Sequence, residues 1–113
     1  MVLKGECEGI TYVVGETAVE NWNLLENASP KDIWIHADGI PSPHGWVHRP
    51  HPRTFIKEDW EKAIWMCARQ VKEYSKARHQ RRLRLSVLEG QFLRKGTEMG
   101  SVRLLKRPRI ILV

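Results

Sequence analysis

The chain lacks most of the devices that announce an enzyme or a secreted protein. Its two cysteines, Cys7 and Cys67, are too few and too far apart for a disulfide framework and are read as reduced thiols. No apolar run approaches the ~18 residues of a membrane span, and residues 1–9 contain no hydrophobic stretch of the kind that directs secretion. The expected compartment is therefore the cytoplasm, with no membrane partner. There is no glycine-rich phosphate loop, and Ser42 sits between prolines rather than in a Gly-x-Ser-x-Gly elbow. Internal repeats and low-complexity linkers are also missing. With 113 residues and 42% apolar content, the expectation is one domain over residues 1–113, with no catalytic residues to name.

Acidic residues run short toward the end of the chain. From Lys76 onward eleven Lys or Arg face two Asp or Glu, a balance of +9, whereas the first 75 residues carry eight against eleven, a balance of −3. Such asymmetry favours a polyanionic partner, because phosphates release condensed counterions when Lys and Arg replace them. A merely solvated basic surface is the competing reading.

Taken in order, residues 1–8 read as a loose lead and residues 9–14 as a strand stopped by Gly15. Thr17-x-x-Glu20 is a capping box opening a short helix over about 17–27, with Val19, Trp22 and Leu25 at helical spacing and Pro30 barring continuation. Between Ile56 and Gln80, Trp60, Ala63, Ile64, Cys67, Ala68, Val71 and Tyr74 recur every three or four residues, which predicts a long amphipathic helix over about 56–80. Trp65 lies off that stripe among Lys62, Arg69 and Lys72, placed either to stack a base or to pack under a neighbouring strand. Leu83, Leu85 and Val87 alternate with Arg84, Ser86 and Leu88 as a strand. Gly96 and Gly100 bracket a turn, and the closing run Arg109 to Val113, apolar on both faces, reads as a central or covered strand. The fold class expected is α+β: a single mixed or antiparallel sheet with the long and the short helix packed on it.

The most informative stretch is Asp32 to Arg49, two short strands around a hinge through Gly39, Pro41 and Pro43. Alternation puts Asp32, Trp34 and His36 on one face and Ile33, Ile35 and Ala37 on the other; His44, Trp46 and His48 share a face of the second strand. One face suits a core and the other suits contact. His36, His44, His48 and His51, beside Asp32 and Asp38, are metal-ligating types, but no His-x-x-x-His falls on a predicted helix and no cysteine pair accompanies them. The imidazoles of His36 and His44 can instead bridge the strands, with Asp32 as partner. No metal and no cofactor is expected.

The pattern Asp32-x-Trp34-x-His36, followed by Pro41 and His44, resembles the signature of the NFACT-R RNA-binding domain, the C-terminal module of ribosome quality-control proteins of the NEMF, caliban and bacterial fibronectin-binding type. Gly15, Asn21 and Leu24 resemble that family's opening residues. Residues 74–78, Tyr-Ser-Lys-Ala-Arg, resemble its helix end, and Arg94-Lys95-Gly96 with Gly100-x-Val102 its closing segment. The likeness spans about residues 9–113. In the hinge the family reads Pro-Gly-Ser-His, whereas this chain has Pro41-Ser42-Pro43-His44.

The resemblance implies binding of transfer or ribosomal RNA, with the large ribosomal subunit as the wider setting. The parent proteins' other domains are not among these residues, so no peptide extension is expected of them. Together with the basic composition it nominates His36, His44, Trp46, His48 and Arg49 in the hairpin, and Lys76, Arg78, Arg81, Arg82, Arg84, Arg94 and Lys95 beyond it, as RNA contacts. Gly15, Asn21, Asp32, Trp34, Pro41, Tyr74 and Gly100 are the signature positions, given structural roles. The alternative is a protein-interaction module whose basic surface meets an acidic partner.

Overall fold

The first strands come from the stretch read as a lead. In the computed structural model, which describes residues 2–113, β1 (Leu3–Cys7) pairs antiparallel with β2 (Ile10–Gly15). Leu3, Gly5 and Cys7 face inward while Lys4 and Glu6 face out. The hairpin turns on Glu8 and Gly9, with φ of 52° and 78°, the left-handed pair that suits a two-residue loop between twisted strands. The loose lead is thus corrected to a paired edge strand; Met1 lies outside the described residues.

Next come α1 (Ala18–Asn27), β3 (Ile33–Ala37), β4 (His44–Val47), α2 (Lys57–Glu73) and β5 (Arg84–Glu89). A short 3-10 turn then leads to β6 (Leu93–Lys95), β7 (Val102–Leu104) and β8 (Arg109–Leu112). Six strands form one antiparallel sheet in the order β1-β2-β4-β3-β5-β8, and β6 and β7 form a second, two-stranded sheet. The architecture is α+β, with both helices packed on the large sheet.

α2 covers one sheet face. Ile35, Val47 and Leu85 meet Ala63, Ile64, Cys67 and Val71 there in the main core. The helix approaches closely over Gly45, where a Cβ would come within 2.7 Å of Cys67 Sγ and Val71 Cγ2. It stops at Glu73, well short of Gln80. Ser75 Oγ donates to the Lys72 carbonyl at 2.7 Å and accepts from Ala77 N at 3.2 Å, so a side chain takes over bonds the next helical turn would make. Tyr74, expected in the buried stripe, is the exposed C-cap.

The opposite sheet face is also covered, so the hairpin does not have one face for core and one for contact. Val13, Trp34, Trp46 and Leu88 form a second core, closed over by Leu24 and Leu25 of α1 and by Leu93, Val102 and Leu104 of the small sheet. Thr17 and Glu20 make the expected capping box, with Thr17 Oγ1 accepting from Glu20 N and Glu20 Oε1 from Thr17 N, both at 3.2 Å. Val19 is exposed, however, because α1 docks through its C-terminal half. The closing strand is an edge rather than a centre: β8 pairs with β5 alone, sending Ile111 into the core and leaving Leu112 exposed. Among the described residues no helix is long and apolar enough to cross a membrane.

Candidate functional site

β3 and β4 place Trp34 opposite Trp46 and Ile35 opposite Gly45, which sets His36 and His44 beside each other at the hinge end of the hairpin. Their rings meet edge to face with centroids 4.7 Å apart, and His36 stacks on Trp34 at 5.5 Å with the planes 5° apart. Trp34 Nε1 donates to His44 Nδ1 at 3.1 Å. An indole N–H can only donate, so His44 Nδ1 carries no proton and the neutral ring keeps its hydrogen on Nε2. Burial, and then the neighbouring His36, pushes the His44 pKa down to about 3; burial lowers that of His36 as well. Both rings are neutral near pH 7. They line a cleft of about 330 Å³ with Trp34, Asp38 and Ser86 on one side and Ser101, Val102 and Leu104 on the other.

The hinge that bounds this end is held by Ser42, which accepts from Ala37 N at 3.0 Å and donates to the Pro43 carbonyl at 2.9 Å. Pro41, Ser42 and Pro43 line a groove with Tyr74, Ser75 and Lys76. From the other side Asp38 N donates to the Arg84 carbonyl, and Arg84 Nε meets Asp38 Oδ2 at 3.3 Å. The turn between Lys76 and Arg84 is thereby tied to the hinge at its Arg84 end, while Lys76 at its other end lines the groove beside Pro41 to Pro43. It carries Arg78, Arg81 and Arg82, all exposed and, among the described residues, without an acidic partner. Arg82 holds the turn in the left-handed region, at φ 57°.

The remaining nominated residues lie elsewhere. Trp46 is fully buried, with no exposed surface, so it cannot stack a ligand; alternation set its face correctly, but α1 and the small sheet cover that face. His48 and Arg49 stand at the far end of β4, around a buried Asp32. Asp32 Oδ1 accepts from Arg49 N at 2.7 Å, and its Oδ2 accepts from Ser29 N at 3.0 Å and meets His48 Nδ1 at 3.2 Å. Asp32 therefore partners His48 rather than His36 or His44. The Arg49 guanidinium lies 4.8 Å above both the Phe55 and the Trp60 rings, clasping the loop that precedes α2. Lys95 pairs with Glu26 and covers Trp22, and Arg94 donates to the carbonyls of Gln91 and Leu93. Trp65, on the outer face of α2, is 37% exposed.

Of the signature positions, Asn21, Asp32 and Trp34 are buried, whereas Pro41 and Tyr74 are exposed. Gly15 sits against Asn21 and Leu24, and Gly100 against Ala18, while Trp22 Nε1 donates to the Ser101 carbonyl at 2.8 Å. Two residues of this region escaped the sequence reading. Ser86 was legible as the one polar residue at an inward position of an otherwise apolar strand; Arg103 was not, because only the register shows it directly opposite Arg94 on the small sheet. The histidines and acids converge on no group of three that could hold a metal, among the described residues.

No protein-family model matches the chain. Its fold is similar to that of the C-terminal part of the fibronectin/fibrinogen-binding protein of Streptococcus suis, with a TM-score of 0.76 at 22% identity over 92% of this chain and 40% of that one. A stretch of 65 residues, 58% of the chain, is 32% identical to coiled-coil domain-containing protein 25 of Bos taurus, of which it spans 31%. The chain thus covers less than half of the solved S. suis chain and of the bovine protein.

Proposed function

We propose that this chain is a non-catalytic RNA-binding module of the NFACT-R type, recognising transfer or ribosomal RNA in the cytoplasm in connection with translation quality control. The observation that carries the reading is the turn from Lys76 to Arg82. Among the described residues, four cations without acidic partners stand on one segment whose Arg84 end is tied to the hinge. Cations left unpaired on a braced surface are suited to phosphate, since little ordering entropy remains to be lost on binding. The signature residues support the family, and the fold likeness to the S. suis protein agrees with it.

The test is fluorescence anisotropy of labelled transfer RNA over a salt series. Binding should weaken with a slope of roughly −0.7 to −0.9 in log affinity per log salt for each phosphate engaged. Polyglutamate in excess should not displace the RNA. Displacement would instead favour an acidic protein as the partner, since both ligands would then be competing for charge alone.

A further inference from the structure

The cleft beside His36 and His44 is not explained by phosphate binding. No Lys or Arg lines it, and the single carboxylate on its rim, Asp38, is already paired with Arg84, so neither an anion nor a cation finds a counter-charge inside. An aliphatic occupant would leave polar groups unanswered. Ser86 Oγ has no hydrogen-bond partner among the described residues, and His44, with Nδ1 taken by Trp34, keeps Nε2–H as a donor. The walls are flat or apolar: the His36 ring, backed by the buried Trp34, on one side, Val102 and Leu104 on the other. What these surfaces accept is a neutral, planar ligand with hydrogen-bonding edges.

Cations stand at one side of the mouth without entering it. Arg84 stands at the Asp38 rim, next to the turn carrying Arg81 and Arg82. Arg103, between the lining residues Val102 and Leu104, alternates onto the outer face of the small sheet, opposite Arg94 and away from the cleft. We propose that the cleft takes one unstacked nucleobase of a single-stranded RNA segment, with His44 and Ser86 hydrogen-bonding its edge against the His36 ring and the arginines beside the Asp38 rim holding an adjoining phosphate. This rests on the RNA-binding reading and narrows it: the module reads unpaired nucleotides, because a base within a duplex cannot enter.

The experiment compares a short single-stranded RNA of mixed sequence with a fully abasic ribose-phosphate strand of the same length and charge. The intact strand should bind about tenfold or more tightly, the usual worth of one well-stacked base. In His36→Ala, and separately in Ser86→Ala, that advantage should shrink while affinity for the abasic strand persists, a double-mutant cycle in which the phosphate contribution cancels. Independently of either variant, the imidazole NMR signals of His36 and His44 should shift with the intact strand and stay in place with the abasic one. Equal affinities of the wild-type protein for the two strands, with transfer RNA still bound, would overturn the base cleft and leave the RNA reading standing. Failure to bind transfer RNA as well would overturn both.

Discussion

Trp34 Nε1 points its hydrogen at His44 Nδ1 from 3.1 Å away, which leaves the ring's own hydrogen on Nε2 at this buried end of the hairpin. The folded protein holds His44 neutral down to about pH 3, while the unfolded imidazole titrates near 6.5. Between those values the unfolded chain binds a proton that the folded chain refuses. Stability is therefore full above about 6.5 and falls as pH drops toward 3, at up to about 1.4 kcal/mol per pH unit for one such group. His36, lowered by its own burial, contributes with the same sign. Asparagine at this position keeps an acceptor for the indole but cannot titrate. His44→Asn should narrow the difference between urea midpoints at pH 7 and pH 5, and an unchanged difference would locate the acid sensitivity in other groups.

Trp34 is 2% exposed and packs in the second core. Replacing it with alanine removes a large buried aromatic and should cost about 3–5 kcal/mol, read as a fall in Tm. A variant that melts like the parent yet no longer binds RNA would make Trp34 a ligand contact rather than a core residue.

Gly45 is a packing constraint of a different kind. A methyl group there has no room between β4 and α2, so Gly45→Ala should destabilise by about 1–3 kcal/mol, as overpacking does. Denaturant titration measures it, and no loss would mean that α2 shifts freely on the sheet.

Arg81 and Arg82 touch no acid and bury little, so reversing both to glutamate should move stability by no more than about 0.5 kcal/mol each. RNA affinity should fall, and its salt slope should flatten by about two contacts. Lys4→Glu and Lys31→Glu, exposed but away from the hinge turn, should do neither. Unaltered affinity in a folded double reversal would move the interface to another face.

Periodicity made α2, α1 and the hairpin readable, because each buries a face whose spacing survives in the sequence. What it could not report was which faces meet a second layer. Trp46 lies on the same hairpin face as Trp34, yet whether that face is wet depends on Leu93, Val102 and Leu104, which join it from far along the chain. The closing strand misled for the converse reason: it is apolar on both faces, but β8 pairs with β5 alone and leaves Leu112 exposed, so residues suited to a centre stand at an edge. β1 escaped notice because a glycine at its middle weakens the pattern, although Gly5 is there to seat the Tyr12 ring. The cluster of arginines was legible by count. Its disposition was not, since Arg84 turns to Asp38, a partner 46 residues away, while Arg81 and Arg82 meet no acid among the described residues.

The strand order carries a consequence for synthesis. β3 lies inside the sheet, between β4 and β5, yet β5 begins 47 residues after β3 ends. A chain growing from its N-terminus can close β1, β2, β4 and β3 and lay α2 across them, and still present the far edge of β3 as bare backbone until residues 84–89 emerge. At about 5–20 residues per second that interval lasts several seconds, during which Trp34 has neither Leu88 nor the small sheet to shelter it. The nascent protein is thus most open to mispairing when α2 has already formed, and the basic turn that follows α2 is the first part of the chain to follow it out of the exit tunnel.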